Sequence, residues 1–317
     1  MRTTSKATTL AVVCTTLWAM SAVAQDYPVR QINMVIPFPP GGNTDLMARA
    51  LQPELAKALG QSVVAINKGG AGGTIGNIEV SSSRPDGYTI GLTPNNPLTA
   101  QPHVQKLPYG MDSFKYVCLT YYVPYVVMAS PKAPFKTFQE FVAFTKAKSD
   151  NLLYASPGPG TQPHLGILSA LGAIKGEGVH VPFTGAGPMS QAMLAGTVMA
   201  MSESTAVAKA SNLIVLAAQT KERIPTLPDV PTMAELGFAS EAFSAGGLVV
   251  PAATPDAIVA RLQKACGEAV ASEGYKTATE KLNAVAKFMP GPEFRKMFDE
   301  DSIRNGDAVK AAGLAPK

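Results

Sequence analysis

The sequence predicts an α/β fold of two domains around a ligand cleft. Apolar runs of strand length alternate with segments of helical period from residue 31 onward. The junctions between them are rich in glycine and proline. Two long apolar extended runs, at 121–130 and 246–251, flank the middle of the chain. At 317 residues, 46% of them hydrophobic, the chain has room and core material for two domains.

The elements follow in order. Arg2 and Lys6 form a basic start, TLAVVCTTLWAM an apolar stretch, and Ala22-Val23-Ala24 a small-residue cleavage site. Residues 1–24 are expected to be a signal peptide cleaved after Ala24, so the protein is exported, in a bacterium to the periplasm. The apolar stretch is shorter than the ~20 residues of a membrane span. Residues 31–38 read as a strand and 44–59 as a helix, with Ala48, Leu51, Leu55 and Leu59 on one face. Pro53 should kink or restart that helix, and Gly60 should stop it. Strand 63–67, the loop NKGGAGGTIGN, helix 74–82, the turn Pro85-Asp86-Gly87 and strand 88–93 complete a βαβαβ opening, which implies a parallel sheet.

The middle repeats this logic. After strand 121–130 comes helix 137–148, introduced by a Thr137/Glu140 capping box. Strand 152–156, helix 164–171, strand 179–183, helix 188–194 and strands 197–202 and 212–219 follow. Strand 246–252 and helix 255–270 return the chain to the first unit, and the remainder reads as helices. The expected division is therefore 25–124 with 247–317 as domain 1, discontinuous, and 125–246 as an inserted domain 2.

Several chemistries find no support. A charge of +4 with no run of Lys or Arg beyond two residues gives nucleic acid no footprint. His103, His164 and His180 lack metal-ligand spacing, so neither a metal nor a cofactor is expected. Nucleophile-elbow and phosphate-loop motifs are absent, and Ile75 stands at the third glycine position of a dinucleotide fingerprint. No catalytic residue can be named. Cys118 and Cys266 permit one disulfide, but both sit in apolar patterns, which favours buried free thiols.

One construction recurs: strand, glycine-rich loop, helix start. It stands at PFPPGGNTD, NKGGAGGTIG, SPGPGTQPHL and PFTGAGPMSQ. The first N–H groups of a helix have no partner within it, and the helix dipole adds positive potential there. Glycine lets backbone approach a ligand, so such a loop can hold a carboxylate without Arg or Lys. Loops at carboxyl ends of strands border the crevice of an open α/β sheet. Asn43, Thr44, Ser156, Thr161 and Thr184 offer hydrogen bonds. Asp45 is expected to order its own loop. Phe38 and Phe183 could pack on a carbon skeleton or on the core, and Glu203 could read a cationic or hydroxyl group.

With those residues in view, the chain resembles the Bug family, the periplasmic receptors of tripartite tricarboxylate transporters. The resemblance rests on YPVRQINMVIPFPPGGNTDLMARALQPELAKALGQ, NKGGAGGTIGN, PDGYTI, SPGPGTQPHL, VPFTGAGPMSQAMLAGTV, LPDVPTMAELG and GGLVVPAATP, in that order. It implies a type II periplasmic-binding-protein fold, hinge closure over a small carboxylate (dicarboxylate, acidic amino acid or aromatic acid), delivery to membrane transporter subunits, a monomer, and no catalysis. Carried over by motif, it places Phe38, Gly41, Gly42, Asn43, Thr44 and Asp45 on one wall. Ser156, Gly160, Thr161, Thr184, Gly185 and Gly187 stand on the other, with Glu203 at a strand end. Departures include Gly69-Gly70 after Lys68 in place of a proline, and Phe183-Thr184-Gly185 in place of Tyr-Lys-Gly, which removes a cation. That loss points toward smaller or less charged acids. Partnership with a membrane sensor, or an α/β hydrolase or transferase activity, are the alternatives.

Overall fold

The computed structural model describes residues 27–147 and 152–315. The expected signal peptide lies outside the described residues. Strands β1 (Ile32–Ile36), β2 (Val63–Asn67) and β3 (Thr89–Pro94) run parallel, with β1 in the middle. Helix α1 (Asn43–Leu59) joins β1 to β2, and α2 (Thr74–Ser82) joins β2 to β3. The α1 face of Met47, Ala48, Leu51, Leu55 and Leu59 is buried, as its period requires. Pro53 lies inside α1, yet the helix continues to Leu59 without a restart. An interior proline costs about 3 kcal/mol, while each fully buried large apolar side chain contributes roughly 1.5–3 kcal/mol. Burial of that face therefore outweighs the lost backbone bond.

Two short helices follow, α3 (Asn96–Thr99) and α4 (Gln101–Val104), and then β4 (Phe114–Ala129), a strand of 16 residues. It is longer than the expected 121–130 because its first half pairs with two partners. These are β9 (Phe243–Pro251) on one side and β10 (Val285–Pro290) on the other, both antiparallel. Its second half pairs with β7 (Ala200–Ser204) and β8 (Ile214–Ala218), again antiparallel. One strand thus serves both halves of the sheet. The sheet is mixed, which corrects the parallel expectation: β4 and β9 cross between the halves and run against their neighbours. β10 corrects another, since 285–290 falls where only helices are expected. It is an edge strand with no fully buried residue and an irregular register, so no alternating apolar pattern marks it.

In the second half, β5 (Leu153–Ser156) runs parallel to β6 (Val179–Pro182) and to β7. Helices α5 (Phe138–Ala147), α6 (Gln162–Ile174), α7 (Ala186–Ala195) and α8 (Thr205–Ser211) fill this half. The capping box forms: the Glu140 amide donates to Thr137 Oγ1 at 3.2 Å, and the Thr137 amide to Glu140 Oε2 at 3.1 Å. The chain closes with α9 (Asp256–Ala271), α10 (Glu273–Lys281) and α11 (Gly291–Ala311).

Cys118 of β4 and Cys266 of α9 form a disulfide, against the favoured reading of free thiols. Both face the core that joins β1, β3, β4, β9, α1 and α9. The docking of α9 on β4 brings their Cα atoms to 6.6 Å, a tertiary relation absent from a linear pattern. A buried polar knot ties α3 to α11. Asp301 accepts from Thr99 Oγ1 (2.7 Å), Asn95 Nδ2 (2.9 Å) and Asn305 Nδ2 (3.1 Å). Burial pushes the Asp301 carboxyl up, with Thr99, Asn95 and Arg304 acting against it.

Candidate functional site

The carboxyl ends of β1 and β2 in one half, and of β5 and β6 in the other, carry the four glycine loops. They form one chain of contacts. Loop one touches loop two, since a Cβ on Gly69 would meet the Pro39 nitrogen at 2.9 Å. Gly73 of loop two (φ +91°) lies against the Phe38 ring and Pro97, where any side chain would collide. Loop three meets the first half across the sheet: Asn96 Nδ2 donates to the Gly160 carbonyl at 3.1 Å. Gly160 (φ +71°) also faces Val104, whose side chain would be 3.1 Å from an added Cβ. Loop four hangs on loop three through the Phe183 amide, which donates to the Ser156 carbonyl at 2.9 Å.

Within loop one, Gly41, Gly42 and Asn43 are exposed and Thr44 and Asp45 buried. Helix α1 starts at Asn43 with Gly42 as its cap residue and no side-chain cap. Asp45 orders its own loop, as expected. Its carboxylate accepts from the Gly41 amide (2.9 Å), Arg49 Nε (2.9 Å) and Asn67 Nδ2 (2.9 Å). Burial alone would push this carboxyl up, but those bonds hold it below the usual carboxylate range. Asn67 also donates to the Phe38 carbonyl at 3.0 Å, stitching the ends of β1 and β2 together.

Loop three uses its hydroxyls internally. Thr161 Oγ1 donates to the Gly158 carbonyl at 2.7 Å, and Ser156 Oγ accepts from the Gly158 amide at 3.1 Å. Helix α6, which starts at Gln162, again has no side-chain cap, and neither has α7, which starts behind Gly185. Thr184 and Gly187 are exposed at that start, and Phe183 is half-buried. The four helices behind these loops, α1 and α2 in one half and α6 and α7 in the other, thus start without a side-chain acceptor for their leading N–H groups. An uncapped helix start carries partial positive charge and free donors, which suits an anion.

Glu203 is buried at the end of β7, where Oε1 accepts from the Ser204 amide at 2.7 Å. Burial pushes its carboxyl up, and no cation is among the groups acting on it. Tyr121, fully buried on β4, lies near Thr44 and Ser244, and its hydroxyl has no hydrogen-bond partner. Sequence reasoning selected neither Tyr121 nor Asn96. A groove of about 520 Å³ lies elsewhere, between α6 and α11. Among its charged residues Arg304 pairs with Glu241 and Asp301, and Lys221 with Glu300. Among the described residues, no group of three or more His, Cys, Asp or Glu is placed to hold a metal, and no helix is long and apolar enough to cross a membrane.

Residues 47–314 match the sequence model of the Tripartite tricarboxylate transporter family receptor. The chain is 32% identical to the protein BugT of Bordetella pertussis, over 93% of each chain. Among solved structures it is similar to a TctC solute-binding protein from Polaromonas, determined without ligand. That similarity has 28% identity and a TM-score of 0.82, over 90% of this chain and 99% of the other. It is also similar to MatC of Rhodopseudomonas palustris, solved with bound malate, with 32% identity and a TM-score of 0.72, over 89% of this chain and all of the other. The loops, the shared crossing strand and these similarities agree: the chain belongs to the tripartite tricarboxylate transporter receptor family, solute-binding receptors rather than enzymes.

Proposed function

We propose that this receptor works in the periplasm, after removal of residues 1–24, and captures a small carboxylate between two lobes. One lobe comprises 25–124 and 247–317, the other 125–246. The observation that carries the reading is the set of uncapped helix starts at the glycine loops, α1 and α2 on one lobe and α6 and α7 on the other. A carboxylate accepting from both sides favours the closed arrangement in proportion to its differential affinity. In this reading Phe38, Gly41, Gly42, Asn43 and Thr44 form one wall, Gly160, Thr184, Gly185 and Gly187 the other, with backbone amides as the principal donors. Asp45, Ser156 and Thr161 shape the loops. Glu203 meets the far end of the ligand. The loaded receptor hands its cargo to tripartite transporter subunits in the membrane. MatC carries malate in its own structure, which supports a small acid as cargo here.

A thermal-shift screen tests this with malate, longer dicarboxylates, acidic amino acids and aromatic acids. Ligand at ~100 times its Kd stabilises the fold by about 2.7 kcal/mol. At least one acid should raise Tm, and its effect should disappear in Gly42→Val. Stabilisation by uncharged solutes alone would overturn the reading.

A further inference from the structure

Loop three leans on two histidines whose roles are unassigned. His164, in the first turn of α6, is buried, and its Nδ1 accepts from the Gly160 amide at 3.1 Å. An accepting Nδ1 carries no proton, so this ring is neutral with its hydrogen on Nε2. His180, half-buried on β6, stacks on it with ring centroids 4.0 Å apart and planes 19° apart. His180 Nε2 lies 2.6 Å from Ser156 Oγ, at the other end of the same loop. Tyr154 of β5 completes the stack, 5.3 Å from His180 and 6.1 Å from His164. The titratable groups of the stack are these three, and no carboxylate or other cation is among the groups acting on either ring.

Gly160 is also the residue whose carbonyl receives Asn96 across the sheet. One ring nitrogen therefore holds the amide of Gly160, the residue whose own carbonyl makes this contact between the halves. We propose that His164 is the positioning residue of that closure contact, and that the His180 ring stacked on it keeps His164 uncharged, so the loop holds its shape as the surroundings acidify. The inference rests on loop three being a wall of the carboxylate site. The order of protonation follows from the geometry. His180 is the more exposed ring and takes a proton first, and its Nε2–H still donates to Ser156 Oγ. A charge 4.0 Å away then opposes a second proton on His164. Burial, with His180 beside it, already lowers His164 to about 4, and burial lowers His180 as well.

Imidazole and amide NMR titration of the ligand-free mature chain tests this. At pH 7.5 His164 should be the Nε2–H tautomer. On acidification the Gly160 amide and the Asn96 side-chain amide should move with the His164 midpoint, not with that of His180. His180→Gln should raise the His164 midpoint by about one unit or more, as for a coupled pair. His164→Asn, which keeps an acceptor near the Nδ1 position, should hold the Gly160 amide protected and pH-independent, while His164→Ala should speed its exchange at every pH. A protonated Nδ1 on His164 at pH 7.5, or an unchanged His164 midpoint in His180→Gln, overturns the proposal. No arm uses ligand, so failure of the carboxylate reading shows separately in the thermal-shift screen.

Discussion

Removing the disulfide should lower stability by an amount the structure allows to be worked out. Cys118 and Cys266 are separated by 148 residues and join the crossing strand β4 to α9. Closing a loop of that length removes chain entropy worth about 5 kcal/mol from the unfolded state. Measured values run lower, typically about 2–4 kcal/mol, because unfolded chains retain structure. Both sulfurs are fully buried, so Cys118→Ala with Cys266→Ala also leaves small voids and adds no compensating contact. For a chain of 317 residues, at about 2.1 cal/mol/K of unfolding entropy per residue, each kcal/mol shifts Tm by about 1.5 °C. The double variant should therefore melt roughly 3–6 °C below the oxidised protein, measured by calorimetry or circular dichroism. The single variants should fall by similar amounts, since either one opens the loop. Reductant under native conditions should act slowly because the bond is inaccessible. A double variant melting within ~2 °C of the oxidised protein would refute the reasoning.

Further outcomes follow from the site. Gly160→Val places a β-branched residue at φ +71° against Val104. It costs about 1–2 kcal/mol in backbone strain, and it should weaken binding of any acid found in the screen at least about tenfold by calorimetry. Gly42→Val adopts its extended backbone (φ −77°, ψ 167°) without strain, so it should keep the wild-type Tm while abolishing that binding. The Asp45 carboxyl is held low, so its contribution is present above the unfolded value near 3.9 and lost as pH falls through the folded value. Asp45→Asn should cost about 1–2 kcal/mol at pH 7, reduced by the half-exposed Arg49, and denaturant curves should converge with wild type in acid. Tyr121→Phe removes a buried hydroxyl that has no partner, so ligand-free Tm should hold or rise.

Much of this was legible because it is local. Helix α1 announces itself by the period of Ala48, Leu51, Leu55 and Leu59, and loop one by two prolines before two glycines. The capping box at Thr137 needs residues only three apart. What escaped is what only the tertiary fold brings together. β10 exists because β4 offers it an edge, and no alternation within 285–290 signals that. The disulfide needs α9 to lie on β4. Asn96 gains its contact from a loop 64 residues away. His164 and His180 read as a helix-start residue and a strand residue in sequence, and become a stacked pair only once β5 and β6 are side by side. Ser156 and Thr161 were visible as polar loop residues, but their hydroxyls turn inward to Gly158, a choice set by loop geometry rather than residue type.

The single strand that serves both halves limits how such a protein can be rearranged. Residues 114–124 of β4 lie on β9, and 125–129 lie between β7 and β8. A fragment cut at 125–246 would keep its helices but lose continuity through the strand that templates its sheet, leaving edges open to other chains. Grafting the inserted half of one receptor onto another must therefore carry a matched β4 and β9 with it. Cargo preference in this architecture should travel between proteins by substitution at the loops, not by exchange of whole lobes.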